Sequence, residues 1–138
     1  MAFWLFKTER GTWSWEQQVK RGSQGEPWSG VRNHQAANNM KAMAKGDRGF
    51  FYHSGDERRI VGIVEVIGLY RPDPTDETGK FGLVDVKAVR ALPRPVSLAE
   101  IKAAPSLKAM VLVKNSRLSV QPVTAAEWQA ISKMASLE

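Results

Sequence analysis

The chain has 138 residues, 43% of them apolar and 25% charged, with no cysteine and a formal charge of +6 from 20 Lys and Arg against 14 Asp and Glu. That length supports a single core burying roughly 65 to 70% of the unfolded surface, and the missing cysteines exclude disulfides, thiolate catalysis and thiolate zinc sites. No apolar run approaches the ~20 residues of a membrane span, and the excess of positive charge points to partners that carry phosphates or other anions.

The basic residues occur in short pairs such as Lys20-Arg21 and Arg58-Arg59, a dispersion that favours a folded basic face over a disordered arm. The start, "MAFWLFKTERG", lacks the basic segment, apolar stretch and cleavage site of a secretory signal. A soluble, cytoplasmic protein is expected.

"AFWLFK" reads as a strand of bulky residues. In "TWSWEQQVKRG", Ser14 is a helix cap, Trp15 and Val19 lie one turn apart, Lys20 and Arg21 fall in the last turn and Gly22 stops the helix. Residues 22 to 30 form a loop around Pro27, after which "NHQAANNMKAM" places Ala36, Met40 and Met43 on one helical face. "KGD" turns the chain into the strand "RGFFYHS", and "GDERR" turns it again into "IVGIVEVIGLY".

In that last run Ile63 and Glu65 share one side and Val64 and Val66 the other, so burial on both sides over part of its length is expected. Gly62 and Gly68 mark bends or bulges. "RPDPTDETGKFG" is a long connecting loop, "LVDVKAVRAL" returns as a strand, and Pro93 and Pro95 are expected to stop the sheet. Ser97 and Glu100 form a capping box for a short helix interrupted by Pro105; "RLSVQPV" is a last strand, and Thr124 with Glu127 caps a terminal helix. The pattern predicts one α+β domain over residues 1–138, a small, curled, mostly antiparallel sheet or barrel with helices around it.

Acid-base catalysis would rest most simply on His34 or His53 with Glu9, but no recognised nucleophile, phosphate-loop or metal motif is present. The carboxylates of "RPDPTDETG" lack the glutamate spacing of a calcium loop and are read as turn caps. No metal or cofactor is expected.

The aromatic residues are more informative. Trp4, Trp13, Trp15 and Trp128 fall in regular elements and are assigned to the core, whereas Trp28 sits in a loop between Pro27 and Ser29. Two readings of Trp28 stand: core filling beneath the loop, or a flat wall for a planar ligand. Asn33 opens the following helix, where N-capping is the plain explanation, but a directional amide beside an indole and the Arg32 guanidinium is also the set a base pocket requires.

The segments "WLFKTE", "WSGVRNHQAANN", "KGDRGFFYHS", "IVGIVEV", "PDPTDETGKFG", "VDVKAVR" and "SRLSVQPVTAAEW" resemble, in order and nearly end to end, the EVE domain family in a stand-alone bacterial form. The resemblance implies a PUA-like fold, a strongly bent, mostly antiparallel β-barrel flanked by short helices and related to the YTH and ASCH groups. It also implies a reader of nucleic acid, DNA or RNA, that accommodates a methylated or hydroxymethylated base in a pocket.

By motif position, Lys7, Thr8 and Glu9 would lie beside the mouth, Trp28 would wall the pocket and Asn33 would contact the base edge; the phosphate attraction read for Arg32 rests on its guanidinium alone. Tyr52, His53 and Ser54 match a strand-end motif, and Ser116, Arg117 and Leu118 a segment expected to close the site. Arg10 stands where the family usually has proline and Ala37 where it often has a basic residue, which bears on groove affinity. The partner expected is a nucleic acid with a modified base, bound without a membrane and by a monomer. The competing readings are a hydrolase or nuclease acting through Glu9, His34 or His53, and a protein-interaction module that presents its basic face to an acidic partner.

Overall fold

Strand β1 (Phe3–Glu9) opens the computed structural model, which describes residues 1–137. Its bulky residues alternate between two cores, Trp4 and Phe6 on one face and Leu5 on the other, the period of two that a strand imposes. β3 (Arg48–Ser54) lies parallel to β1 and repeats the division, with Phe51 on the Trp4 side and Phe50 and Tyr52 opposite. β4 (Arg59–Pro72) continues it, Val64 and Val66 facing one core and Ile63 the other. The two-sided burial expected of this run is therefore present.

Each core is closed by helices. Trp15 of α1 (Trp15–Lys20) and Ala36 and Met40 of α2 (His34–Lys41) pack on the first face. Ile101 of α3 (Leu98–Ala103), Leu112 of α4 (Val111–Lys114) and Ile131 of α5 (Ala125–Met134) pack on the second. With β2 (Glu26–Pro27), β5 (Gly82–Ser97) and β6 (Val120–Val123), the sheet order is β2-β5-β4-β3-β1-β6. Only the β1–β3 pairing is parallel. The ladder ends at β2 and β6 without closing, so the architecture is a mixed α+β fold on a six-stranded sheet.

The capping boxes expected from the sequence are formed at Ser97 with Glu100 and at Thr124 with Glu127, and a third joins Ser14 to Gln17. α1 departs from expectation on its inner face: Gln18 is buried beside Trp15, while Val19 is 49% exposed. Gln18 earns that position by donating to the Val86 carbonyl at 3.1 Å, which satisfies a buried polar group.

The expected stop at Pro93 and Pro95 is overturned, because β5 runs on to Ser97. The reason lies in the register: Ala91 pairs with Gly62, and the next pair is Val96 with Ile60. The intervening residues bulge out of the ladder, where the missing proline N–H groups leave no gap. Gly62 and Gly68 both sit at register shifts, and Gly62 has a further role. A Cβ there would lie 2.5 Å from the Trp15 ring, so the absent side chain lets the indole press directly on the strand.

Candidate functional site

Beside the end of β1 the chain forms a half-open cavity of about 300 Å³. Lys7 and Thr8 come from β1, Thr12 and Trp13 from the turn before α1, and Glu26 to Arg32 from the segment around β2, with Ser119 just before β6. Backbone hydrogen bonds from Thr12 and Trp13 to the Glu9 carbonyl, 2.9 and 3.0 Å, turn the chain back on itself. The Trp13 indole then donates to Gln18 Oε1 at 2.9 Å, which fixes the ring at the cavity wall.

Trp28 fills the core, the first of its two readings. Its N–H donates to the Val84 carbonyl at 2.8 Å, extending the β2–β5 ladder by one residue. The indole is 7% exposed and meets Phe6 and Phe51 edge-on, with centroids 5.2 and 5.7 Å away. It is part of the core, and it also lines the cavity.

The rim is held by a buried carboxylate. Asp73 accepts from the Gly30 N–H at 2.8 Å, from Arg32 Nη1 at 3.1 Å and from the Thr75 hydroxyl at 2.6 Å. Gly30 has φ +83°, a conformation that favours glycine. Burial would raise the Asp73 carboxyl, but the hydrogen bonds from Thr75, Gly30 and Arg32 outweigh it and hold the pKa at about 2. Asp76 similarly accepts from the Thr78 N–H at 3.0 Å and from the Phe81 N–H at 2.7 Å. These carboxylates therefore cap turns, as read from the sequence.

On the opposite side, the Lys7 ammonium donates to the Ser116 carbonyl and lies 5.7 Å from the Tyr52 ring centroid. Burial lowers its pKa below the ordinary lysine value.

The residues singled out from the sequence divide into several environments. Lys7, Thr8, Trp28 and Arg32 line the cavity together. Glu9 and Ser54 line a separate depression with Arg10, Asp56 and Glu57. Arg10 is engaged there by Glu57 at 3.4 Å and Glu16 at 3.7 Å, so its charge does not sit at the cavity mouth. Asn33 uses its side-chain oxygen to accept the Ala36 N–H at 2.9 Å, the plain capping role, and is not part of the cavity lining. Ala37 is buried, facing the fold's interior.

Tyr52 belongs to the second core, and Leu118 to the first. Ser116 acts through its backbone carbonyl, Arg117 is exposed, and Ser119 is the residue of that segment that reaches the cavity.

His53 is 2% exposed; its Nε2 accepts the Trp15 N–H at 3.0 Å and its Nδ1 faces Glu57 Oε2 at 3.2 Å. An accepting Nε2 places the proton on Nδ1, so the ring fastens α1 to β3. His34 instead lies exposed against Phe81, with centroids 4.9 Å apart. Among the described residues no hydrogen bond or ion pair joins the Glu9 carboxylate to either histidine.

Thr12, Trp13, Glu26, Ser29 and Ser119 are among the wall residues that sequence reasoning missed. Trp13, assigned to the core, packs half-buried against the first core as expected and also lines the cavity, which the sequence did not show. Its place ahead of the Ser14 cap, outside the helix, was the available signal. Glu26 lay in a segment read as loop, and the two-residue β2 that orients it is too short to leave a periodic pattern.

Fold and cavity together define a small α+β module with a ligand-sized recess at the edge of its sheet. The EVE domain model matches residues 2–134, and the chain belongs to that family. A protein of Rhodopseudomonas palustris solved by NMR is 55% identical, with TM-score 0.94 over 99% of this chain and 94% of the other. The structure of human THYN1 protein in complex with DNA containing 5-methylcytosine has TM-score 0.91 at 32% identity, covering 100% of this chain and 99% of that one.

Thymocyte nuclear protein 1 of Gallus gallus is 38% identical over 127 residues, 75% of this chain and 52% of the relative. The chain thus spans about half the length of that curated relative. A YTH domain from Zygosaccharomyces rouxii shares the fold, with TM-score 0.59 at 21% identity over 97% of this chain and 86% of the other. Among the described residues no helix is long and apolar enough to cross a membrane.

Proposed function

We propose that this chain reads a modified base of nucleic acid, in the first instance a 5-methylated cytosine of DNA, drawn out of its stack into the cavity beside Trp13 and Trp28. The observation that carries this reading is the composition of the cavity. Two indoles, four hydroxyl side chains, an ammonium and a guanidinium meet around about 300 Å³, at the small end of the range for ligand pockets and suited to one base. Aromatic rings stack on a base, hydroxyls meet its polar edge, and Lys7 and Arg32 draw in the flanking phosphates. Kinship supports the choice of ligand, because the similar human THYN1 protein was solved in complex with 5-methylcytosine-containing DNA.

In this reading Arg32 is a pre-set contact, oriented by Asp73 while its side chain stays 39% exposed. Lys7 is the complementary cation on the β1 side. Asn33 supports the rim by starting α2, and edge recognition falls to side chains inside the cavity. The reading is of a binding module without turnover.

Fluorescence anisotropy with matched oligonucleotides tests the proposal: DNA and RNA, unmodified or carrying 5-methylcytosine, 5-hydroxymethylcytosine or N6-methyladenine, at two salt concentrations. The salt slope counts phosphate contacts at about 0.9 per phosphate on duplex DNA. A preference of about tenfold or more for one modified probe, equivalent to about 1.4 kcal/mol, is the expected result. Equal, salt-sensitive binding to every probe would reduce the chain to a basic surface and refute the reading.

A further inference from the structure

One side chain of the cavity lining can only accept a hydrogen bond when ionised, and so meets only the donor groups of a base. The hydroxyls of Thr8, Thr12, Ser29 and Ser119 can donate or accept, and Lys7 and Arg32 only donate. Glu26 is the acceptor-only side chain of the lining when ionised. A carboxylate beside two cations in a nucleic-acid pocket repels the phosphates that those cations attract. An ion pair with Arg21 offsets part of that repulsion, and a ligand that presents a donor to the carboxylate would offset the rest.

The local geometry leaves Glu26 available for that donor. Glu26 and Trp28 are two residues apart on an extended segment, so their side chains share a face, and both line the cavity. Glu26 Oε1 meets Arg21 Nε at 3.1 Å, but the same Nε donates to the Gly25 carbonyl at 2.9 Å. The contact is therefore an ion pair beside a hydrogen bond that goes to Gly25, and not the two-pronged fork that saturates a carboxylate. Oε2 has no hydrogen-bond partner among the described residues, and the Glu26 side chain remains 26% exposed.

Resting on the reader proposal above, we infer that Glu26 is the specificity-determining residue, accepting a hydrogen bond from the exocyclic amine of an amino-bearing base and rejecting bases with a carbonyl at that position. Cytosine carries that amine at C4 and offers it to Asp or Glu acceptors; thymine has an oxygen there. A carboxylate facing that oxygen leaves two acceptors opposed with no hydrogen between them, the mismatch by which a polar site rejects an analogue. 5-Methylcytosine and thymine share the 5-methyl group, so the pocket must tell them apart at C4. Glu26 is placed to do so.

The test is a set of four duplex probes, each with cytosine, 5-methylcytosine, uracil or thymine opposite an abasic site, so that no pairing partner differs. Affinities are measured for the native protein and for Glu26→Gln and Glu26→Ala. The native protein is expected to prefer 5-methylcytosine to thymine by at least about tenfold. Glu26→Gln, whose amide both donates and accepts, should bring that ratio to within about twofold by gaining thymine affinity. Glu26→Ala should lose 5-methylcytosine affinity without that gain.

An unchanged ratio in Glu26→Gln would overturn the assignment, and so would a parallel loss for all four probes, which is the mark of a merely structural ion pair with Arg21. A native protein that separates 5-methylcytosine from cytosine but not from thymine would refute the role of Glu26 and leave the reader intact. One that separates none of the four would refute both.

Discussion

Replacing Trp28 with alanine removes an indole that is 7% exposed, wedged edge-on against Phe6 and Phe51 in the first core. The sequence alone places this tryptophan in a loop and leaves core filling and a ligand wall both open. The structure makes it a core substitution as well. Buried Trp→Ala changes cost about 3 to 5 kcal/mol, a large share of the roughly 5 to 15 kcal/mol that holds a domain together. The Trp28 N–H bond to Val84 survives the change, so the loss is of packing and not of the ladder.

For a chain of this size each kcal/mol moves the midpoint by about 3 to 5 °C, so Tm should fall by roughly 10 to 20 °C. Thermal unfolding followed by circular dichroism, paired with urea titration, measures this. A Tm within about 5 °C of the native value would show that the indole is not a core element, and the account of the cavity's back wall would fail.

Trp13→Ala provides the contrast: the half-buried ring is expected to contribute about 1 to 3 kcal/mol of stacking, about 5- to 150-fold in affinity for the preferred base, with a smaller loss of stability than Trp28→Ala. Unchanged affinity in anisotropy would remove Trp13 from the base-contacting wall. Asp73→Asn should destabilise in a pH-dependent way. The folded carboxyl sits at about 2, below its unfolded value of ~3.9, so it contributes about 2 to 3 kcal/mol, fully present above about pH 4 and lost as pH falls through about 2. Denaturation of native and variant proteins at pH 7 and near pH 2 should show the gap narrowing, and an equal gap at both would contradict it. Gly62→Ala drives a Cβ into the Trp15 ring and should cost about 1 to 3 kcal/mol in urea titration; a neutral result would mean that the indole has room to move.

Much of the fold is legible because local chemistry and burial agree. β3 spans the run "RGFFYHS" as read, since its unbroken bulky residues have a core on each side. The capping boxes at Ser97 and Thr124 are legible because a cap is satisfied within four residues. What the sequence hides depends on distant partners. Pro93 and Pro95 signal a stop, and only the pairing of β5 with β4 shows that they lie in a bulge.

The site follows the same division. Lys7, Thr8, Trp28 and Arg32 line one cavity. Asn33 instead follows its local capping propensity, and His53 is used as a buried tie between α1 and β3. Glu26 carries no sequence signal, because its meaning comes from the cations and hydroxyls that surround it in space.

The central claim is that the modified base enters the cavity between Trp13 and Trp28. The chain has five tryptophans, each with one indole N–H resonance in a ¹H–¹⁵N spectrum. Titration with a 5-methylcytosine oligonucleotide is expected to shift the Trp13 and Trp28 indole signals and the Gly30 amide, while Trp4 and Trp128 stay in place. Shifts confined to the Glu9, Ser54 and Glu57 depression, with both cavity indoles unmoved under saturating probe, would contradict it.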